Sequence, residues 1–553
     1  MTLVAAIPCR RNTTNIVSGE RMTKKQSETD IIVVGSGASG AAVTWSLARA
    51  GFRVICIEQG PWVDPSAFPV AHDDWQYQMR TEWAYHPNVR RLPADYPVND
   101  DASAIKLQMY NAVGGSTIHW TGHVPRFHPS DFRVKTLDGV AEDWPISYWD
   151  LERYYDLNDE MMGCSGLAGD PANPPRSPRQ MPPIPIGPDG EHIGRAFDEL
   201  GWHWWPSDVH VNSTDYKGRK ACNLCGPLGN GCSRGAKAST DITYLPDAIK
   251  AGAQVWDNTT VFKIATGPDG RATGVEYFDP EGELGFLSAR AVVVGCNGIG
   301  TPRMLLHSAS DSHPDGLANR SGQVGKNLMF HVYAGASGLF ENLDEPTYKG
   351  PLACIIMSQE FYETDESRGF KRGYTFQMGR GIGPAPTAIS NVPWGEDHHD
   401  EFAARFGKNL GLGVIGDDLP EEHNRVTLDT SRPDRFGIPA PRVVYRLGDN
   451  SRKLLAHGVQ SARKVMKAAG ASRIMESAFS ENTGWHLMGT ARMGDDPATS
   501  VVNQWGQAHD TDNLFIVDGS LFVTAGGVNP TPTIQAVALR VADYIAHERG
   551  DLK

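Results

Sequence analysis

The chain has 553 residues, 40% of them hydrophobic and 21% charged, a globular composition at a length that predicts two domains or two intertwined lobes. A net charge of −13 argues against a nucleic-acid partner, which needs clustered Lys and Arg, and no run of 18 apolar residues offers a membrane-spanning helix. Eight cysteines over this length do not suggest a disulfide scaffold.

Residues 1–29 hold a short apolar start followed by Arg10 and Arg11, whereas a secretory signal places its charges before a longer apolar region. A disordered leader is expected, with Met22 as a second candidate start. Location is cytoplasmic by default, the alternative being periplasmic by co-export with a signal-bearing subunit.

Residues 30–60 organise the rest. Four apolar residues, 31–34, read as a strand buried on both faces, and Gly35, Gly37, Ser39 and Gly40 stand in the G-x-G-x-x-G pattern. A helical apolar spacing follows (Ala42, Trp45, Leu47, Ala48), then a second apolar run, 52–57, closed by Glu58. Gly35 suits the tight turn, Gly37 the approach of backbone to a pyrophosphate, and Gly40 the close packing of helix on strand. The helix N-terminus offers unpaired N–H groups to phosphates, and Glu58 would accept from a ribose diol. Strand, turn, helix, strand and acid in register predict a dinucleotide site in a Rossmann-like α/β fold.

After a polar, aromatic stretch comes Gly114-Gly115-Ser116-Thr117-Ile118-His119-Trp120-Thr121-Gly122. Paired glycines followed by hydroxyls suit backbone lying against a bulky ligand, and a plain Gly-Ser turn is the other reading. At this point the opening fingerprint, this segment and three C-terminal segments (484–494, 513–520 and 526–534) together resemble the glucose–methanol–choline (GMC) family of flavin oxidoreductases. The resemblance covers most of the chain from about residue 30 onward, nearest to the gluconate/glucoside dehydrogenase and pyranose oxidase-like branch. It implies FAD as cofactor and oxidation of an alcohol, with Gly114, Gly115, Ser116 and Thr117 along the flavin. His119-Trp120-Thr121 also resembles a motif whose histidine carries flavin covalently. His119 is therefore either attached to the flavin or packed against it.

Further along, Ser147 is a candidate N-cap for a helix through Leu151, Tyr154 and Tyr155, and residues 169–190, rich in Pro and Gly, read as an extended surface segment or lid. Cys222, Cys225 and Cys232 form a C-x2-C-x6-C cluster without the fourth ligand of a structural zinc site. They suit either a [3Fe-4S] iron–sulfur cluster, as the resemblance to certain sugar dehydrogenases implies, or a glycine-rich loop with free thiols or a disulfide. Strands are expected over 254–264, 273–278 and 290–296, followed by a helix over 303–308 with Pro302 at its start. Residues 332–478, with alternating segments at 333–339, 353–357, 373–378 and 410–415 and a helix over 453–469, read as a mainly antiparallel sheet with helices on one side.

The expected fold is thus an α/β FAD-binding lobe from residues 30–135, 216–331 and 479–553, with a discontinuous α+β substrate lobe from 136–215 and 332–478. Carried over by motif, His486 is the catalytic base and Asn529 its partner, while Asp518, Gly519, Pro530 and Thr531 approach the flavin. A neutral imidazole is poised to take a hydroxyl proton near neutral pH, and an amide can hold the oxygen without titrating. The resemblance implies a sugar, glycoside, sugar acid or other polyol as substrate, and a cytochrome or small subunit, or oxygen, as electron acceptor. A non-redox lyase on the same fold is the competing reading.

Overall fold

The computed structural model describes residues 28–553 apart from 73, 227, 342, 344–354 and 382. The expected leader lies outside the described residues up to 27, as do 353–354 of one expected segment. Residues 28 and 29 already belong to the first strand.

The apolar run predicted at 31–34 sits in the strand Glu28–Val34, the centre of an eight-stranded sheet. Val54–Ile57 and Leu284–Val294 flank it in parallel, pairing Ile31 with both Val54 and Ala291. Gln254–Trp256 and Thr511–Ile516 extend the parallel array on either side. Residues 31–33 are fully buried because helices cover this sheet, Ala38–Arg49 packing on Thr531–Glu548 and on Tyr244–Lys250. Strand order reverses beside the first strand, so the crevice at the carboxyl ends of the strands is where a nucleotide belongs.

A second sheet of six strands is antiparallel throughout. Val332–Leu339, Asn409–Gly416 and Tyr374–Arg380 lie side by side within it, and the helix Asp449–Ala468 buries Leu454, Leu455 and Val459 against it. This is the mainly antiparallel lobe that the alternation predicts. A small sheet joins Arg425–Pro433, Pro439–Tyr445 and Asn99–Ser103. Among the described residues no helix is long and apolar enough to cross a membrane.

Two local expectations differ. The strand expected over 254–264 is two, Gln254–Trp256 in the parallel sheet and Thr260–Thr266 in a hairpin with Ala272–Phe278, because Asn258 turns the chain at a φ of +50°. The helix expected over 303–308 begins earlier, at Asn297, and runs to His307 with Pro302 inside it. Proline there leaves the Gly298 carbonyl without its intrahelical donor, and the Thr490 hydroxyl supplies one at 2.7 Å. A donor from 192 residues away was invisible to a local reading.

Candidate active site

The first strand gives way to Gly35, with φ of +93°, where a Cβ would lie 2.6 Å from the Gly295 carbonyl oxygen. A Cβ on Gly40 would lie 1.8 Å from the Gly35 carbonyl oxygen, so this position packs helix against turn. The helix Ala38–Arg49 starts from Gly37 with no side-chain cap and no acid in its first turn, so its N-terminal N–H groups and positive end are left for a ligand. Gly37, Ser39, Gly115, Ser116 and Thr117 line a cavity of about 500 Å³ together with Glu58. Gly40 and Gly114 stand behind that wall, Gly114 against the Asp241 carboxylate.

Glu58 is buried, and its carboxylate accepts from Ser36 N (3.0 Å), Ser36 Oγ (2.9 Å) and Gly60 N (3.0 Å). Burial pushes its pKa up, and these three donors oppose the shift. The sequence assigned Glu58 only a ligand; it also ties the glycine turn to the strand that follows. Asp518 does the same at the other wall, accepting from Asn297 N (3.1 Å), the Thr301 hydroxyl (2.5 Å) and Ser520 N (2.8 Å), with Gly519 beside it on the cavity.

His486 and Asn529 line the same cavity, with His486 Nε2 3.5 Å from Asn529 Nδ2. Burial, then the neighbouring His331 and His123, holds the His486 imidazole well below its ordinary pKa, so it is neutral at pH 7. Asn529 Oδ1 meets His123 Nδ1 at 2.9 Å and accepts from Gln377, which turns the amide NH₂ towards His486. Pro530 and Thr531 carry the wall into the helix Thr531–Glu548, whose first turn holds no acid. Trp485, 41% exposed, and Tyr333 complete this end of the cavity.

The chain matches the N-terminal GMC oxidoreductase model over residues 29–333 and the C-terminal one over 420–538. It belongs to the GMC oxidoreductases. It is 42% identical to a 2-methyl-1,2-propanediol dehydrogenase of Mycolicibacterium austroafricanum, over 96% of this chain and 97% of that one. It is 31% identical to a fructose dehydrogenase large subunit of Gluconobacter japonicus, over 95% and 99%. Among solved structures, a pyridoxine 4-oxidase from Mesorbium loti shares the fold, with a TM-score of 0.68 at 18% identity, over 94% of this chain and 99% of that one. The protein is accordingly an FAD-dependent oxidoreductase acting on CH–OH groups.

The residues of this GMC oxidoreductase fit a flavin dinucleotide on two observations. Gly35 and Gly115, both on the cavity, pack so closely on backbone that a Cβ would lie 2.6 Å from the Gly295 carbonyl oxygen and 2.9 Å from Gly37 Cα, respectively. Two buried imidazole nitrogens on its wall, His119 Nε2 and His123 Nε2, have no protein partner. His119 donates from Nδ1 to the Gly229 carbonyl at 2.9 Å, and burial pulls its pKa down to about 3. The bare Nε2 is thus the nitrogen left for contact with, or attachment to, a ring in the cavity. Glu58→Ala should weaken FAD retention by roughly 1–3 kcal/mol, the loss of one acceptor set with its donors left buried. A variant that holds FAD as tightly as wild type in equilibrium dialysis would show the fingerprint to be misassigned.

Cys222, Cys225 and Cys232 are free thiols, so the loop disulfide is not formed. Lys237 straps this loop to the glycine-rich segment, donating from Nζ to the carbonyls of Leu228 (2.7 Å), Ile118 (2.6 Å) and Trp120 (2.7 Å). Burial pulls Lys237 down to about 7, while three carbonyl acceptors ask for the three donors that only an ammonium has. The comparisons support FAD and give no support to an iron–sulfur cluster here. Among the described residues, Asp159, Cys164 and His210 gather within 4.8 Å of one another, but Arg126, 2.6 Å from Asp159, already supplies the positive charge.

Sequence reasoning brought His486, Asn529 and the glycine segments to one cavity and missed His123, His331, Gln377 and Tyr333. His123 lies two residues beyond Thr121 and His331 just before the first strand of the antiparallel sheet, and nothing local marks either as a neighbour of His486 or Asn529.

Proposed function

We propose that this enzyme oxidises one hydroxyl of a compact polyol or sugar, with His486 as general base and Asn529 as the donor that holds the reacting oxygen. The observation that carries it is the convergence of His486 Nε2 and Asn529 Nδ2 in the cavity shared with the glycine fingerprint. Bound FAD supplies the hydride acceptor. His486, neutral at pH 7, takes the hydroxyl proton at Nε2. Asn529 donates to the oxygen from an amide whose Oδ1 is pinned by His123 and Gln377, so orientation is set before substrate arrives. The N-terminal end of the helix Thr531–Glu548 adds fixed positive charge at the cavity wall. Trp485 and Tyr333 give the pocket apolar faces as well as a hydroxyl, which suits a small branched diol as much as a sugar ring. The 42% identity to a 2-methyl-1,2-propanediol dehydrogenase supports vicinal diols as the first candidates to try.

Anaerobic mixing with a panel of small diols, sugars and sugar acids tests this reading. A substrate should bleach the oxidised flavin band in one turnover. A lyase would turn over its substrate with the band unchanged. Readmitting air to the bleached enzyme then separates an oxidase, which recovers its colour at once, from a dehydrogenase that needs another acceptor.

A further inference from the structure

The carbonyl of Gly526 can only accept a hydrogen bond, and His331 Nε2 lies 2.7 Å from it. Glycine at 526 makes this possible, because its φ of +64° is a conformation that side chains rarely adopt. Nε2 of His331 therefore carries that ring's proton. Burial pulls the His331 pKa down to about 4, so at neutral pH the ring has a single N–H and its Nδ1 is a bare lone pair. That lone pair faces His486 Nδ1 at 2.7 Å. Two lone pairs at that distance would repel, so His486 Nδ1 is the donor. Its other nitrogen, Nε2, is then bare, and it is the one that faces the Asn529 NH₂. The opposite assignment sets lone pair against lone pair at one end of His486 and N–H against N–H at the other. Only one proton arrangement satisfies every contact in the row.

We propose that His331 is a positioning residue that holds His486 in the tautomer with a bare Nε2, the direction of the row being set by the Gly526 carbonyl. This rests on the reading of His486 as base. The arrangement resembles the buried acceptor that orients a catalytic imidazole in a triad, with a neutral ring in place of a carboxylate. A neutral acceptor steadies the imidazolium less than an anion does, and leaves the base weak enough to give its proton up again. The row is also closed: a backbone carbonyl cannot carry the proton onward, so a proton taken at Nε2 leaves through the cavity. Tyr333, whose hydroxyl lies 3.4 Å from His486 Nδ1 and accepts from Trp485, is a second, weaker acceptor on the same nitrogen.

The test uses the FAD-loaded enzyme. ¹⁵N-histidine NMR of wild type at pH 7 should show His486 Nε2 with the shift of an unprotonated nitrogen and Nδ1 with that of a protonated one. His331→Leu removes the acceptor and should slow single-turnover flavin reduction roughly 10–100-fold, the scale of one hydrogen bond to a charged group. Its NMR spectrum should show His486 in mixed tautomers. His331→Asn, which keeps an acceptor oxygen near the place of Nδ1, should recover most of the rate and the wild-type pH profile. A protonated Nε2 on His486 in wild type overturns the proposal even if His331→Leu does not fold. So does a His331→Leu enzyme with the wild-type rate and pH profile while His486→Ala is slow. If His486→Ala keeps its rate, it is the base assignment that falls.

Discussion

His486→Ala should slow single-turnover flavin reduction by roughly 10²–10⁴-fold, the usual contribution of a positioned general base, while leaving FAD bound. The imidazole's hydrogen-bonding contacts are with His331, Tyr333 and Asn529, none of them in the glycine turn or the helix Ala38–Arg49, so cofactor retention should be nearly unchanged. Burial and two neighbouring imidazoles hold its pKa well below 6.5. Protonation removes the acceptor, so the wild-type rate should rise with pH through that depressed value and be flat at pH 7 and above. An acid limb centred at or above pH 6.5 would contradict the buried geometry. Asn529→Ala should slow reduction as well, but by less, because orienting an oxygen is a smaller demand than accepting its proton. Higher pH should partly rescue His486→Ala, since the medium then supplies an acceptor. Wild-type speed and pH dependence in that variant would assign the proton to another residue.

What was legible in the sequence was what one stretch of chain carries on its own. The apolar run at 31–34, the glycines behind it and the acid at 58 lie within one βαβ unit, and the structure sets Gly37, Ser39 and Glu58 on the cavity wall. Gly40 shows the limit of reading a motif as a list of ligands: it belongs to the fingerprint but serves the packing of helix on turn. The antiparallel sheet was legible as alternation at 333–339, 373–378 and 410–415. Its consequence was not, because Gln377 meets Asn529 only when residues 152 positions apart are folded together. His331 and His486 are likewise 155 positions apart. A family motif names such residues one at a time, and the hydrogen-bond row that gives them direction is a property of the folded chain.

The second large effect is on stability. Arg372→Leu should cost roughly 3–5 kcal/mol, the penalty of leaving buried charges without their partner. Arg372 is 1% exposed and sits among carboxylates, paired with Asp131, with Asp417 at 3.0 Å and with Asp138 at 3.1 Å. Burial pushes Asp417 up to about 7, Asp131 adds to that, and the Arg372 guanidinium opposes it. Asp131 is pushed up by burial too, and again Arg372 pulls it down. A carboxyl whose folded pKa is raised loses stability as pH climbs from its unfolded value, near 4, through its folded one. Without the guanidinium both folded values rise further, so the damage should be greatest at pH 8 and shrink as pH falls towards 5. Thermal melts of wild type and variant at the two pH values measure this directly. The site should feel it as well: Asp131 accepts from the Tyr362 hydroxyl at 2.7 Å, and that oxygen accepts from Gly527 N at 3.1 Å, next to the Gly526 carbonyl that directs His331. A loss below about 1 kcal/mol, or the same loss at both pH values, would mean that these carboxylates are protonated in the wild type and that Arg372 is not what holds them.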